Sequence, residues 1–350
     1  MNRTRVVVTG STGFVGREVL RELLPDGGSD RGVSVRALAR TVRPGAEHAP
    51  DLERVTGELT DPRSLRGLLD GADVLVHLAS RVTGSEEECT AVNVDGTRAV
   101  MAEARRHGVE RIVHLSTAAV YGAGPHCGLP VDGVTPAPVS PASRTRLAGE
   151  RIALDAGAVV LRPGLVLGAG DQWVVPALAE FLERVPAAWD GGRGQASMVD
   201  VTDLARLIGT LARSAAPLPR GVHHASHPLP VRNRDLLACL ADLDVLPAVS
   251  GSLPWAECLR RLRETPGRLM ERQFTLLAGD HWYLSEEIWR LTGCAEGPGP
   301  RARLTDAAPW YRAHLAGRSD ARPRIVPHGE QDAKAVADMG RSDASRPGRG

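Results

Sequence analysis

Lysine is almost absent from this chain. Of its 43 basic residues only Lys334 is a lysine, so arginine carries the positive charge along nearly all 350 positions. Tyrosine is scarce too, confined to Tyr121, Tyr283 and Tyr311. The five cysteines, Cys89, Cys127, Cys239, Cys258 and Cys294, form no C-x-x-C pair, so neither a zinc site nor a disulfide framework is expected, and a reducing compartment fits. Neither sign of charge is in excess, with 43 basic against 42 acidic residues, which argues against a nucleic-acid or membrane-surface partner. No apolar run approaches the length of a membrane span, and the N-terminus enters a strand pattern within a few residues, without an apolar signal region. The expectation is a soluble cytoplasmic protein with no metal site. The length suffices for one large or two modest domains, and no internal repeat is visible.

What is present begins at residues 6–16, VVVTGSTGFVG, where a branched apolar run breaks into a glycine-rich turn and opens an amphipathic helix over residues 14–24. This is the strand, turn and helix context of a dinucleotide fingerprint. Gly10 allows the tight turn, Gly13 lets the backbone approach a pyrophosphate, and Gly16 lets the helix pack on the sheet. The anion then rests on the helix N-terminus, among Ser11, Thr12, Phe14 and Val15.

A second strand over 33–38 ends in Ala39-Arg40, and this dipeptide discriminates between cofactors. An acid at this strand end would hold the ribose hydroxyls of NAD, whereas a small residue followed by arginine suits a 2′-phosphate. The expectation is NADP(H), with Arg43 as a second charge; two solvated loop arginines would read the same. A third strand spans 52–55, followed by Gly57-Glu58-Leu59, and Asp61-Pro62 carries the cap and first-turn proline of a helix. Further strands are expected over 74–78 and 111–115, separated by a helix over 86–107. This alternation predicts an α/β fold with a parallel, doubly wound sheet, its ligands lying outside the carboxyl ends of the strands.

The spacing G-x-x-G-x-x-G after Thr9 resembles the extended branch of the short-chain dehydrogenase/reductase family, the epimerases, dehydratases and flavonoid-type reductases. Other segments match it in order: His77-Leu78-Ala79-Ser80, Asn93-Val94-Asp95-Gly96-Thr97, Ser116-Thr117-Ala118-Ala119-Val120-Tyr121-Gly122, Leu161-Arg162-Pro163-Gly164, residues 198–203 and Trp310-Tyr311. The resemblance covers about residues 4–316. It implies that Glu58 and Leu59 face adenine, and that Leu78, Ala79, Ser80 and Pro163 line the cofactor. His77 reads better as a buried imidazole bonded to backbone than as a catalyst. The resemblance also implies a Rossmann domain over 1–164 plus about 194–216 and a smaller α+β substrate domain over 165–193 and 217–316. The helical pattern over 253–282 fits a lid or an ordinary surface helix pair. From residue 317 to 350 the chain is too poor in apolar residues to repay its ordering entropy, and a disordered tail is expected.

The family's reductases hold the carbonyl with a Ser or Thr and supply the proton from a Tyr-x-x-x-Lys pair. Thr117, with Ser116 beside it, matches the first element. At the second the sequence reads Pro141-Ala142-Ser143-Arg144-Thr145-Arg146-Leu147-Ala148-Gly149-Glu150, so Ala142 stands for the tyrosine and Arg146 for the lysine. Arg146 can bond the nicotinamide ribose and stabilise an oxyanion, but a guanidinium does not donate its proton at neutral pH. Two functions survive: a reductase whose substrate makes the missing acid unnecessary, and a non-catalytic NADP(H)-binding sensor or scaffold. Epimerase or dehydratase chemistry falls below both, since it begins with a tyrosinate, although Arg193, Arg232 and Arg301 keep a nucleotide-sugar phosphate in view. The absent pair resembles an atypical class of angucyclinone ketoreductases, which implies an aromatic ketone as the small-molecule substrate. Residues 81–85, 122–130 and 168–175 are the candidate pocket loops.

Overall fold

The structure is a computed structural model and describes residues 3–24, 32–42, 48–49 and 51–320. Seven strands, β1 (Thr4–Thr9), β2 (Val33–Ala39), β3 (Leu52–Thr56), β4 (Val74–His77), β5 (Arg111–Leu115), β6 (Val159–Arg162) and β7 (Gly221–His224), form one parallel sheet in the order β7-β6-β5-β4-β1-β2-β3. The two-residue strand His48–Ala49 adds antiparallel to the β3 edge. Chain order reverses on either side of β1, so the crevice at the carboxyl ends of β1 and β4 is the place where such sheets take a ligand.

The apolar runs fill both faces of this sheet, because successive side chains of a strand point to opposite sides. Val6, Val8, Val74, Val76, Val113, Val159 and Leu161 enter one core, where they meet Val19 and Leu23 of α1 (Phe14–Leu23) together with Leu204, Leu207, Ile208 and Leu211. Val7, Leu75, Ile112 and Val160 enter the other, against Val100, Met101 and Ala104 of α2 (Thr97–Arg106) and Ala153 of α3 (Pro141–Asp155). A fully buried Val or Leu contributes about 1.5–3 kcal/mol, so these two layers fix the register of every strand.

Three expected elements differ in form. Asp61 caps as predicted, its carboxylate accepting from Arg63 N at 3.0 Å, but the helix it starts is a single 3-10 turn over Pro62–Leu65. The helix expected over 86–107 is interrupted by a π-helical stretch, Ala91–Gly96, between Glu86–Thr90 and α2. Residues 317–320 of the expected tail are instead the end of the last helix, Pro300–Asp320; residues 321–350 lie outside the described residues.

Within the segment 217–316 expected to belong to a substrate domain, Gly221–His224 is instead β7, an edge strand of the main sheet; that sheet and the expected substrate segments up to Arg312 lie in one compact unit. Within it Val231–Arg232, Gln195–Ala196, His281–Tyr283 and His126–Leu129 make a small four-stranded sheet. The segment 253–282 holds α4 (Trp255–Glu264) and α5 (Glu271–Ala278) before reaching the His281–Tyr283 strand. No helix among the described residues is long and apolar enough to cross a membrane.

Candidate active site

The phosphate loop is built on contacts that leave no room for side chains. A Cβ on Gly10, whose φ is +71°, would lie 2.6 Å from Ala79 N, and one on Gly16 would lie 2.1 Å from Gly10 O. Gly13 caps α1 without a side chain, no acid occupies the first turn, and Thr12 and Gly13 are exposed. The helix N-terminus is therefore open to an anion, and a dinucleotide pyrophosphate fits it. Ser11 is buried, its hydroxyl donating to Leu38 O at 2.9 Å, and so it ties the loop to the end of β2. Arg40 is exposed immediately beyond that strand end; Arg43 lies outside the described residues. Phe14 and Val15 are half-buried on the first turn of α1. Beside Phe14, a Cβ on Gly170 would approach its ring at 3.1 Å, so the 168–173 loop borders the phosphate cradle.

Past β3, where the resemblance places adenine, Glu58 is exposed, while its backbone is held by Ser64, whose Oγ accepts from Glu58 N at 2.9 Å. Leu59 is buried in the core against Gly96, so its side chain packs beneath the site. Leu78 is buried, Ala79 half-buried and Ser80 exposed along the end of β4. His77 is fully buried, but its partners are hydroxyls where backbone was expected: Nδ1 meets Thr9 Oγ1 at 2.7 Å and Nε2 meets Thr97 Oγ1 at 3.0 Å. Burial pulls its pKa down to about 4, so it is neutral and structural.

Thr117 sits half-buried at the N-cap of a one-turn helix, Ala118–Tyr121, just past β5. Its Oγ1 accepts from Ala119 N at 3.2 Å, which leaves the hydroxyl proton free to donate. Ser116 does not join it. Its hydroxyl, one residue past β5, is fully buried and donates to Glu150 Oε2 at 2.6 Å, which differs from the expectation of a catalytic role. Glu150 also pairs with buried Arg162, whose Nε lies 3.0 Å from Oε2. Arg162 Nη1 in turn donates to the Tyr121 hydroxyl at 2.8 Å. Pro163, next in sequence, is buried, and its carbonyl accepts from Ala118 N at 2.8 Å, which holds the Thr117 turn in place.

On α3, Ala142 and Arg146 lie one turn apart. Arg146 Nη2 donates to Ser116 O at 2.8 Å and Leu115 O at 3.3 Å, which aims the guanidinium at the carboxyl end of β5. Burial lowers its pKa to about 10, so it stays charged at neutral pH. Asn93, from the π-helical stretch, links the 81 loop to this helix: its amide accepts from Arg81 N at 2.7 Å and donates to Thr145 Oγ1 at 2.9 Å.

None of the three tyrosine hydroxyls is available as an acid. Tyr121 donates to His224 Nε2 at 2.7 Å, an arrangement fixed by His224 Nδ1 donating to Leu284 O at 2.9 Å. Tyr283 meets His126 Nδ1 at 2.9 Å. Tyr311 donates to Asp171 at 3.0 Å and accepts from Gly168 N at 2.9 Å. His281 bonds Ala123 O through Nε2 at 2.9 Å, and burial lowers its pKa.

Two cavities adjoin at Ala123 and Thr275. The smaller, about 210 Å³, is walled by Ala119, Gly122, Val139, Arg272 and Leu276 as well, which places it between the Thr117 turn and α5. The larger, about 490 Å³, runs on past Gly124, Pro125, Gly194, Trp255 and His281. Of the three expected pocket loops, only 122–130 contributes to these walls. Arg193 reaches the larger cavity but is paired with Asp190 at 2.8 Å. Sequence reasoning missed Arg272 and the Glu150–Arg162 pair.

A nucleotide crevice beside a Thr hydroxyl, a half-buried guanidinium and a cleft of small residues defines a dinucleotide-dependent oxidoreductase site. The chain belongs to the NAD dependent epimerase/dehydratase family, whose model matches residues 6–222. It is accordingly an NAD(P)-dependent oxidoreductase. It is 31% identical over 263 residues, 72% of this chain and 76% of the relative, to a 4-hydroxy-2-methyl-3-oxo-4-farnesyl-3,4-dihydroquinoline-1-oxide ketoreductase of Stigmatella aurantiaca. A 2-alkyl-3-oxoalkanoate reductase of Stenotrophomonas maltophilia is 30% identical over 326 residues, 83% of this chain and 94% of that one. In fold it is similar to a short-chain dehydrogenase/reductase superfamily protein from Agrobacterium tumefaciens with bound NAD, at a TM-score of 0.66 and 24% identity, covering 90% of this chain and 99% of the other.

Proposed function

We propose that the enzyme is an NADPH-dependent ketoreductase that reduces a carbonyl of a polycyclic aromatic polyketide in antibiotic biosynthesis, with the substrate itself supplying the proton. The absence of Tyr-x-x-x-Lys resembles the angucyclinone ketoreductase of simocyclinone biosynthesis. The observation that carries the reading is the commitment of all three tyrosine hydroxyls to partners other than the cleft, with Ala142 standing at the helix position that the resemblance assigns to the acid. The two ketoreductase-type relatives support reduction over epimerisation. On this reading residues 1–164 and about 194–216 hold the cofactor, the remainder to 316 holds substrate, and the 253–282 segment covers it.

The cofactor, when bound, supplies hydride to the carbonyl carbon. Thr117 donates to the carbonyl oxygen, and the Arg146 charge favours the alkoxide that develops there. Arg146 keeps its proton at neutral pH, so the proton that completes the alcohol comes from a phenol adjacent to the ketone, which water then reprotonates. The test is a pair of aromatic ketones, one with an adjacent free phenol and one with that phenol methylated. Similar binding with much slower reduction of the methyl ether is expected. Equal rates would overturn substrate assistance in favour of a water relay, and tight NADPH binding with no reduction of any ketone would favour a sensor.

A further inference from the structure

The arginines of the 253–282 segment are matched to acids with one exception. Arg260 pairs with Glu257 at 2.6 Å, Arg261 with Glu257 at 2.9 Å, Arg263 with Glu271 at 2.6 Å, and Arg268 with Glu180 at 3.5 Å. Arg272 has no hydrogen-bond or ion-pair partner among the described residues. The sequence explains why: Thr275 and Leu276 lie three and four residues on along α5, Leu269 and Arg268 three and four residues back before it begins, so no acid lies at helical spacing, and neighbouring Glu271 gives both oxygens to Arg263. Arg272 is also the only charged residue walling the smaller cavity, whose other lining is Ala119, Gly122, Ala123, Val139, Thr275 and Leu276. The acids of the larger cavity are already engaged, Asp190 by Arg193 and Asp280 by Gln195 N at 2.9 Å.

We infer that Arg272 is a specificity-determining residue that takes an anionic oxygen group of the substrate, a carboxylate or an ionised enol, at the rim of the cleft. The inference rests on the ketoreductase reading and adds that the ketone arrives as an anion. Arg272 is exposed at the cavity rim, and its planar fork beside apolar walls can pair bidentately with such a group. A neutral analogue would lack the contact, while its ketone would still reach Thr117.

The test compares an aromatic keto acid with its methyl ester on the wild type, Arg272→Gln and Arg272→Lys. The wild type is expected to prefer the acid by about tenfold in kcat/KM. Arg272→Gln should erase that preference through the KM for the acid, and Arg272→Lys should restore part of it. The same preference in wild type and Arg272→Gln overturns the inference. If neither ketone turns over, calorimetric binding of 2-naphthoate to the NADPH complex separates the two ideas. Binding about tenfold weaker in Arg272→Gln upholds the anion site while the ketoreductase reading fails, and equal binding overturns the anion site itself.

Discussion

Thr117 and Tyr121 lie four residues apart on one turn, and only Thr117 keeps a hydroxyl proton uncommitted. Thr117→Val should therefore lower turnover by up to about 100- to 1000-fold, the usual cost of an oxyanion donor, while affinity for the dinucleotide stays within about twofold. Unchanged turnover would reduce Thr117 to packing. On the proposed reading Arg40 acts at the other end of the cofactor. If it meets a 2′-phosphate, NADPH should bind at least about tenfold more tightly than NADH, a difference of about 1.4 kcal/mol, and Arg40→Ala should shrink that gap. Equal affinities for the two cofactors in the wild type, measured calorimetrically, would remove the argument from Arg40.

Five of the seven strands, β1 to β5, were legible because their apolar runs are buried on both faces, and the phosphate turn because its glycines precede a helix start; β6 and β7 were not, being short and lying in segments read for motifs or for the substrate domain. The π-helical stretch was not, since its residues keep a helical apolar spacing and the extra residue per turn leaves no compositional mark. Nor was the network beneath Thr117. Ser116, Glu150 and Arg162 are separated by 34 and 12 positions, and a glutamate on a charged helix reads as a solvated face until the sheet closes over it. The pair is costly to break from one side: Glu150→Gln strands a buried guanidinium and should lose about 3–5 kcal/mol of stability in urea denaturation. Joint replacement by Glu150→Met and Arg162→Leu should recover much of that loss. A single-mutant cost below about 1 kcal/mol would contradict the assignment.

Across the whole molecule, buried neutral imidazoles make the fold sensitive to acid. His77 and His224 both have pKa values lowered by burial to about 4, whereas an unfolded histidine titrates near 6.5. Below that pH the unfolded chain binds protons that the native state refuses, so stability present above about 6.5 drains away as pH falls toward 4, by up to about 3 kcal/mol per histidine. Scanning calorimetry should find a falling Tm across this window with a shallower slope in His77→Gln, and a Tm independent of pH would refute the account. The Tyr311 contact has a consequence for biosynthesis. Tyr311 holds Asp171 and Gly168, whose loop borders the cradle made by residues 10–16. Residues 10–16 are thus synthesised long before the tyrosine that completes the loop beside them, and nascent chains stalled short of position 311 should retain the dinucleotide poorly even when the central strands have paired.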